Sequence, residues 1–538
     1  MKLKIIIFSL FTAILSSANA QEDAWVYLAD KENVNFHLNN PNTILTQEAL
    51  NRKALHNVAI DERDVPVNEA YITQLKNQDG IQVLAKSKWF NSVHVRGDLE
   101  FIEALEALPF VTEIVYANQS LNTDSRSLLN NDKFEIENTQ TEFNYGNTDN
   151  QVTMIAAEQL HLQNFTGEGI VIAVMDSGFP NVNTMGAFQR LRDNGKLLNG
   201  YDFVDRTENV YAFTNNDHGT KVLSDMAGFV QDEFVGTAPD ASYYVFRTED
   251  VFSENPVEES YWVEAAERAD SLGVHIINTS LGYTTYDNPN YSYSPSQMNG
   301  TTAFISKGAT IAAEKGMLII TSAGNSGHVA WQTVGAPADS PKVFSIGAVD
   351  ANGEYAFFSS QGSSAQPTQK PDVVARGFST FVIDANNTIV NNSGTSFSSP
   401  VLAGGMACLW QALPEHNPEQ LKNLVRQSAS QFDNPDNFLG FGIPNLAEAL
   451  ELGLSVEDVE SIEISVFPNP VENILNINFS GLSSAFELRI YDQLGKQLLQ
   501  NQINNNSNRI DMTNWATGIY IISIKADNFT KQFKLIKL

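Results

Sequence analysis

The chain has 538 residues, 42% of them hydrophobic and 18% charged, with a formal net charge of −30. One ordinary core does not organise that length, so several domains are expected. The excess of carboxylates repels polyanions and excludes nucleic acid and anionic lipid surfaces as partners.

Lys2 and Lys4 precede an apolar stretch at 5–15, followed by Ser16, Ser17, Ala18, Asn19 and Ala20. A charged start, an apolar run too short to span a bilayer and a small-residue end make residues 1–20 a signal peptide cut after Ala20. No later run holds eighteen uninterrupted apolar residues, so the mature protein is expected to have no membrane span. The single cysteine, Cys408, sits in the apolar run 406–410. No disulfide can form within the chain, and the thiol reads as core packing.

Residues 21–117 read as a small α+β unit. A strand is expected at 25–28, a helix at 46–55, strands at 83–84 and 93–95 around a turn, a helix at 99–108 capped by Asp98, and a strand at 111–116. That order is the split βαβ pattern. Residues 118–150 are rich in Asn, Thr, Ser and Glu with little apolar periodicity, and read as an exposed linker where proteolytic cuts concentrate.

Over 151–453, short β-rich runs at 170–175, 243–246, 275–278, 317–320 and 343–346 alternate with amphipathic stretches such as 263–272 and 302–315. This predicts a parallel sheet with helices on both faces. Residues 463–538 alternate strictly: Phe486, Leu488 and Ile490 face one way, Glu487, Arg489 and Tyr491 the other. With further strands at 519–524 and 533–538, an antiparallel β-sandwich is expected.

In an open parallel sheet the carboxyl ends of the strands present reactive groups to a common crevice. Asp176-Ser177-Gly178 follows the first run, Ser280-Leu281-Gly282 the third, and Ala323-Gly324-Asn325 the fourth. His218-Gly219-Thr220 opens the helical stretch 221–229, and Gly394-Thr395-Ser396 opens the apolar helix 399–413. A serine at a helix start has unpaired backbone N–H groups and a positive dipole end beside it, which suits a developing oxyanion. Taken singly, Asp-Ser-Gly is a common turn and a histidine is usually structural, as His275 and His328 are read here. Glu249-Asp250 and residues 287–290 could offer oxygens to calcium. They lack an alternating carboxylate loop of known spacing, so they read as solvated loops and no metal ligand is assigned.

Together these segments resemble the three active-site signatures of the subtilase family, peptidase family S8: Asp176-Ser177-Gly178, His218-Gly219-Thr220 and Gly394-Thr395-Ser396-Phe397-Ser398-Ser399-Pro400, in the order Asp, His, Ser. Gly236-Thr237-Ala238-Pro239 and Lys370-Pro371-Asp372 extend the resemblance. It implies a subtilisin-like α/β fold and a serine endopeptidase acting on proteins or peptides through an acyl-enzyme. Ser396 would be the nucleophile, His218 the general base and later acid, and Asp176 the carboxylate that orients the imidazole. Asn325, with the Ser396 backbone N–H, would hold the oxyanion.

The resemblance also implies that Ser280, Leu281 and Gly282 form an edge pairing with the substrate backbone and one wall of the primary specificity pocket, with Gly335 as its floor. A glycine floor predicts a preference for large apolar side chains before the scissile bond. No cofactor is required for this chemistry, and structural calcium is an option of the family. Departures lie at Lys221-Val222-Leu223-Ser224, at Arg376 and in an insertion at 283–300, touching helix packing and subsites.

Residues 21–117 are similar to subtilase propeptides, which assist folding and block the cleft until removed, here within the linker. Phe467-Pro468-Asn469-Pro470, Ile490-Tyr491-Asp492, Gly495-Lys496, Gly518-Ile519-Tyr520 and Lys537 resemble the type IX secretion sorting domain of Bacteroidota. This implies passage through the outer membrane by that machinery, then release or surface attachment, with a monomer expected. A binding sandwich is the alternative for residues 463–538, and a surface adhesin with an inactive scaffold is the rival for the whole chain. The intact signature residues disfavour the adhesin.

Overall fold

The computed structural model describes residues 21–121, 143–454, 463–480, 486–492, 496–503, 507–526 and 529–538. The expected signal peptide and most of the expected linker lie outside them. The chain divides into two compact units, Met1–Leu454 and Ser455–Leu538.

Beside two short two-stranded ribbons, the first unit holds two larger sheets. The smaller has β1 (Glu22–Leu28), β2 (Gln82–Ser87), β3 (Ser92–Gly97) and β4 (Val111–Tyr116) in the order β2-β3-β1-β4, every pair antiparallel. Three α-helices lie between β1 and β2: a short one at Val34–Asn39, then α1 (Gln47–Leu55) and α2 (Glu69–Lys76). The split βαβ order holds, but the crossover helix differs from the expected one. Ile72 and Leu75 of α2 are buried beside Val26, Val93 and Val95 of the sheet, whereas α1 buries Ala49, Arg52 and Lys53. A helix that buries two cations is held by charge partners elsewhere, not by an apolar sheet.

The helix expected at 99–108 is α3 (Leu99–Ala104) followed by a short 3-10 turn, Leu105–Ala107. Asp98 occupies the cap position but makes no side-chain cap bond. Pro109 explains the early end, because the residue before a proline is driven out of the helical region, and Leu108 is extended at φ −78° and ψ 128°.

The larger sheet has seven strands. In chain order they are β5 (Val171–Asp176), β6 (Tyr201–Asp202), β7 (Ser242–Arg247), β8 (Ile276–Thr279), β9 (Leu318–Ser322), β10 (Phe344–Val349) and β11 (Val373–Arg376). They lie in the order β11-β10-β9-β8-β5-β7-β6, all parallel. The pleat sends alternate residues to opposite faces. Ile172, Val174, Ile276, Leu318 and Ile320 join a core with α4 (His218–Ala227) and α7 (Thr395–Ala412). Ala173, Met175, Ile277 and Ile319 join another with α5 (Val257–Ser271) and α6 (Phe304–Glu314). A strand buried on both faces needs apolar residues at every position, which is why these runs are continuous in the sequence. Cys408 lies inside the first of these cores, fully buried.

The outer face of the small sheet packs on α5 and α6. The Trp25 ring stacks on Phe304 with centroids 4.5 Å apart, and Glu267 of α5 accepts the backbone N–H groups of Lys88 and Trp89 at 3.0 and 2.9 Å. The insertion at 283–300 folds over the same helix. Tyr293 donates to the buried carboxylate of Glu259 at 2.7 Å, and the Tyr291 hydroxyl accepts the Asp23 N–H at 3.3 Å.

The second unit is a pair of antiparallel sheets. One joins β12 (Glu463–Phe467), β13 (Ile474–Ser480) and β16 (Ser507–Asp511) in the order β12-β13-β16. The other joins β14 (Phe486–Asp492), β15 (Gln497–Ile503), β17 (Gly518–Ala526) and β18 (Phe529–Lys537) in the order β15-β14-β17-β18. Leu475, Ile477, Leu488, Ile490, Ile522 and Leu535 share one core, as the alternation requires.

Candidate active site

The carboxyl ends of β5, β8 and β9 and the starts of α4 and α7 bring the candidate residues together. Asp176 is the last residue of β5 and is 1% exposed. His218 is the first residue of α4, and its Nδ1 lies 2.8 and 3.1 Å from the two carboxylate oxygens of Asp176. This contact requires α4 to start hard against the end of β5. A Cβ on Gly219 would stand 2.6 Å from the Gly178 carbonyl oxygen and 2.8 Å from the Phe179 ring, so no side chain is possible there.

Asn216 fixes the approach from the other side. Its Oδ1 accepts the His218 N–H at 2.8 Å and the Ser177 hydroxyl at 3.0 Å. Burial works to lower the His218 pKa, but the charge of Asp176 and its hydrogen bond outweigh it and raise the imidazolium above its ordinary value.

Ser396 is the second residue of α7, which begins at Thr395, four residues before the expected start at 399. Pro400 lies inside this helix. It has no N–H to return to the carbonyl four residues back, and that carbonyl, Ser396 O, instead accepts the Ser280 hydroxyl at 2.9 Å. The Ser396 hydroxyl in turn donates to the Ser280 carbonyl at 3.2 Å, the bond found for it among the described residues. The imidazole is nearby: the His218 ring lies 5.6 Å from that of Phe397, the next residue along.

Asn325 follows β9. Its Oδ1 accepts the Thr395 N–H at 2.9 Å and the Thr395 hydroxyl at 3.1 Å, while Thr395 Oγ1 accepts the Gly324 N–H at 3.1 Å. With the carbonyl end so held, the amide end of Asn325 faces Gly394, where a Cβ would stand 3.5 Å from Nδ2. An amide donor is thereby held beside the start of α7.

Ser280, Leu281 and Gly282 leave β8 at the same edge. Ser280 is buried, Leu281 half-buried and Gly282 exposed. The next residue, Tyr283, pairs with Ala336 through bonds of 2.8 and 3.2 Å. This sets Gly335 against Thr284, whose Cγ2 is 3.2 Å from where a Gly335 Cβ would be.

Three contributors escaped the sequence reading: Asn216, Thr395 in its positioning role, and Tyr283. Only Asn216 gave a local signal, a short amide two residues before a helix start.

The acidic segment at Glu249 is not a solvated loop. Glu249 is half-buried, accepts from the Tyr283 hydroxyl at 2.6 Å and from Thr248 at 2.9 Å, and is pushed up to about 8 by burial. Glu258, at the start of α5, is buried beside it. Its oxygens accept the N–H groups of Asp250 and Asn255, and burial, with repulsion from Glu249, pushes it up to about 10. Asp287 and Asn290 are exposed, as expected. Among the described residues no group of three or more His, Cys, Asp or Glu is arranged to hold a metal ion, and no helix is long and apolar enough to cross a membrane.

Arg376 has its own partners: Asn150 Oδ1 at 2.8 Å and the Ser379 carbonyl at 2.7 Å. Its departure from the expected pattern ties the N-terminal end of the peptidase region to β11.

Known families match three regions of the chain. The subtilase family matches residues 167–442, the peptidase S8 propeptide domain of Bacteroidota matches residues 23–133, and the secretion system C-terminal sorting domain matches residues 465–538. Subtilisin DY of Bacillus licheniformis is 28% identical over 302 residues, covering 56% of this chain and 97% of that protein. Subtilisin E of Bacillus subtilis (strain 168) is 29% identical over 306 residues, covering 56% and 70%. A solved structure of MycP1 with its N-terminal propeptide removed aligns over 56% of this chain and 96% of its own, at a TM-score of 0.45 and 23% identity. The sorting domain and propeptide mark an exported protein, secreted or attached to the outer surface. With the first match spanning just over half of its residues, the chain belongs to the subtilase family and is a serine endopeptidase.

Proposed function

We propose that the protein hydrolyses peptide bonds through an acyl-enzyme in which Ser396 attacks, His218 takes and returns the proton, and Asp176 holds the imidazole in its tautomer. The observation that carries this reading is the Asp176–His218 pair at 2.8 Å, beside a serine fixed at the first turn of α7. Nδ1–H is committed to the carboxylate, so Nε2 is left as the base. The Ser396 hydroxyl must turn from the Ser280 carbonyl toward that nitrogen as substrate enters, in keeping with catalytic bonds that tighten only in the Michaelis complex.

The tetrahedral oxygen would sit between the Ser396 N–H and the Asn325 amide. Asn325→Leu is expected to lower kcat by about a hundred- to a thousandfold with KM nearly unchanged, since that donor meets charge only in the transition state. Steady-state kinetics on a chromogenic peptide check it.

Substrate would lie as an added strand along Ser280, Leu281 and Gly282. The uncharged wall and Gly335 favour a large apolar residue before the cut, and the chemistry itself needs no cofactor. A fluorophosphonate adduct mapped to Ser396 by mass spectrometry, with faster cleavage after Phe or Leu than after Lys or Asp in a peptide panel, is the expected outcome. An adduct on another residue contradicts the nucleophile, and a preference for charged residues contradicts the pocket.

A further inference from the structure

Between β1 and α2 the propeptide makes an excursion that its own sheet does not require. Residues 29–66 leave the small sheet, cross to the peptidase and return, while Ile72 and Leu75 of α2 and Ile102 of α3 cover the sheet. Lys31 closes the excursion on itself, its Nζ donating to the carbonyls of Val65 and Lys88 at 2.8 and 2.6 Å.

The place where the excursion lands is set by topology. Helix α5 ends at Ser271 just before β8, and α6 ends at Glu314 just before β9. These connections lie at the amino ends of the strands, whereas Asp176, Ser280 and Asn325 lie at the carboxyl ends. Strands of four and five residues separate the two edges by roughly 15 Å.

The contact there is reciprocal and charged. From the propeptide, Arg52 Nη1 donates to the Lys315 carbonyl at 2.7 Å and Lys53 Nζ lies 2.8 Å from Asp270 Oδ1. From the peptidase, Lys315 Nζ donates to Asp64 at 2.7 Å and Asp61 at 3.0 Å. Arg63 reaches Glu314 at 2.8 Å on the rim. Arg52, Lys53, Asp64, Asp270 and Lys315 are all 3% exposed or less.

Backbones also approach closely. A Cβ on Gly273 would stand 2.8 Å from Ala49 N, and one on Gly316 would stand 2.8 Å from Val58. Buried pairs of this kind fix register, and removing one partner leaves the other charge stranded.

We infer that residues 31–66 are a second docking element, separate from the cleft, by which the amino edge of the peptidase sheet grips the propeptide. This rests on the reading that the chain is cut within 118–150. Cutting the linker then does not free the propeptide, and emptying the cleft does not free it either.

The test uses full-length Ser396→Ala protein with a foreign protease site placed in the linker, cut there and diluted, with retention followed by size exclusion and native mass spectrometry. The cut propeptide is expected to stay bound one-to-one at nanomolar concentration, and to remain so under a saturating peptide competitor for the cleft. Arg52→Met with Lys53→Met is expected to weaken retention by about a hundredfold. Displacement by the competitor, or a change of less than about threefold in the double variant, overturns the inference.

Should the double variant fail to fold, Arg63→Ala on the rim is expected to dissociate about three to ten times faster, and an unchanged rate overturns it. Spontaneous cutting of the Ser396→Ala chain would instead count against the catalytic reading, leaving the retention result to decide the anchor by itself.

Discussion

Replacing Ser396 with alanine is expected to lower kcat/KM by on the order of a millionfold, because the nucleophile of a triad acts as one unit with its base. The same change should leave the precursor uncut in its linker and unlabelled by fluorophosphonate. The fold should survive. The bond joining α7 to the end of β8 uses the Ser396 carbonyl, which alanine keeps, and the hydroxyl lost had one weak bond to the Ser280 carbonyl, worth about 1 kcal/mol. An assay against a chromogenic peptide, with a thermal melt alongside, separates the two effects. Activity within about a hundredfold of the parent would remove Ser396 from the reaction.

Asp176→Asn is expected to cost about ten-thousandfold in kcat near neutral pH while the backbone stays in place, since an amide presents the wrong group to Nδ1 and favours the wrong tautomer. Its Oδ1 can still accept the Ser177 N–H that Asp176 accepts at 2.7 Å. The pH profile gives an independent check. In the parent, the carboxylate raises the His218 pKa, so the base is competent only above that value and kcat/KM falls as the pH drops through a point above the ordinary histidine value of about 6.5. In the variant the raising charge is gone and burial remains, so the acid limb should move to lower pH. An unmoved limb would mean that His218 is not the titrating base.

The parts of the molecule that could be read in advance are those whose logic is local. Each strand of the parallel sheet buries both faces, so 170–175 or 317–320 announces itself as a continuous apolar run whatever its neighbours. Asp176, His218 and Ser396 are singled out in the sequence because they stand where a strand ends or a helix begins, and their roles are what the resemblance of those segments to the family signatures implies. Contacts between distant segments were hidden. Nothing near Glu249 shows that a tyrosine 34 residues away will cover it, so it read as a wet loop. Nor does α1 show that Arg52 and Lys53 will be buried against Asp270, so it reads as the crossover helix of the small sheet, a place taken by Ile72 and Leu75 one helix further on. Thr395 was visible, but its duty toward Asn325 depends on where β9 ends.

Cys408 has a consequence for the setting in which such an enzyme works. Its sulfur is fully enclosed, and burial raises the thiol well above its ordinary pKa, so the thiolate that oxidants and alkylating agents attack is scarcely populated while the fold is closed. With no second cysteine in the sequence there is also no cross-link for a reductant to open. Outside the cell, swings between oxidising and reducing surroundings find no accessible thiol and no disulfide on which to act.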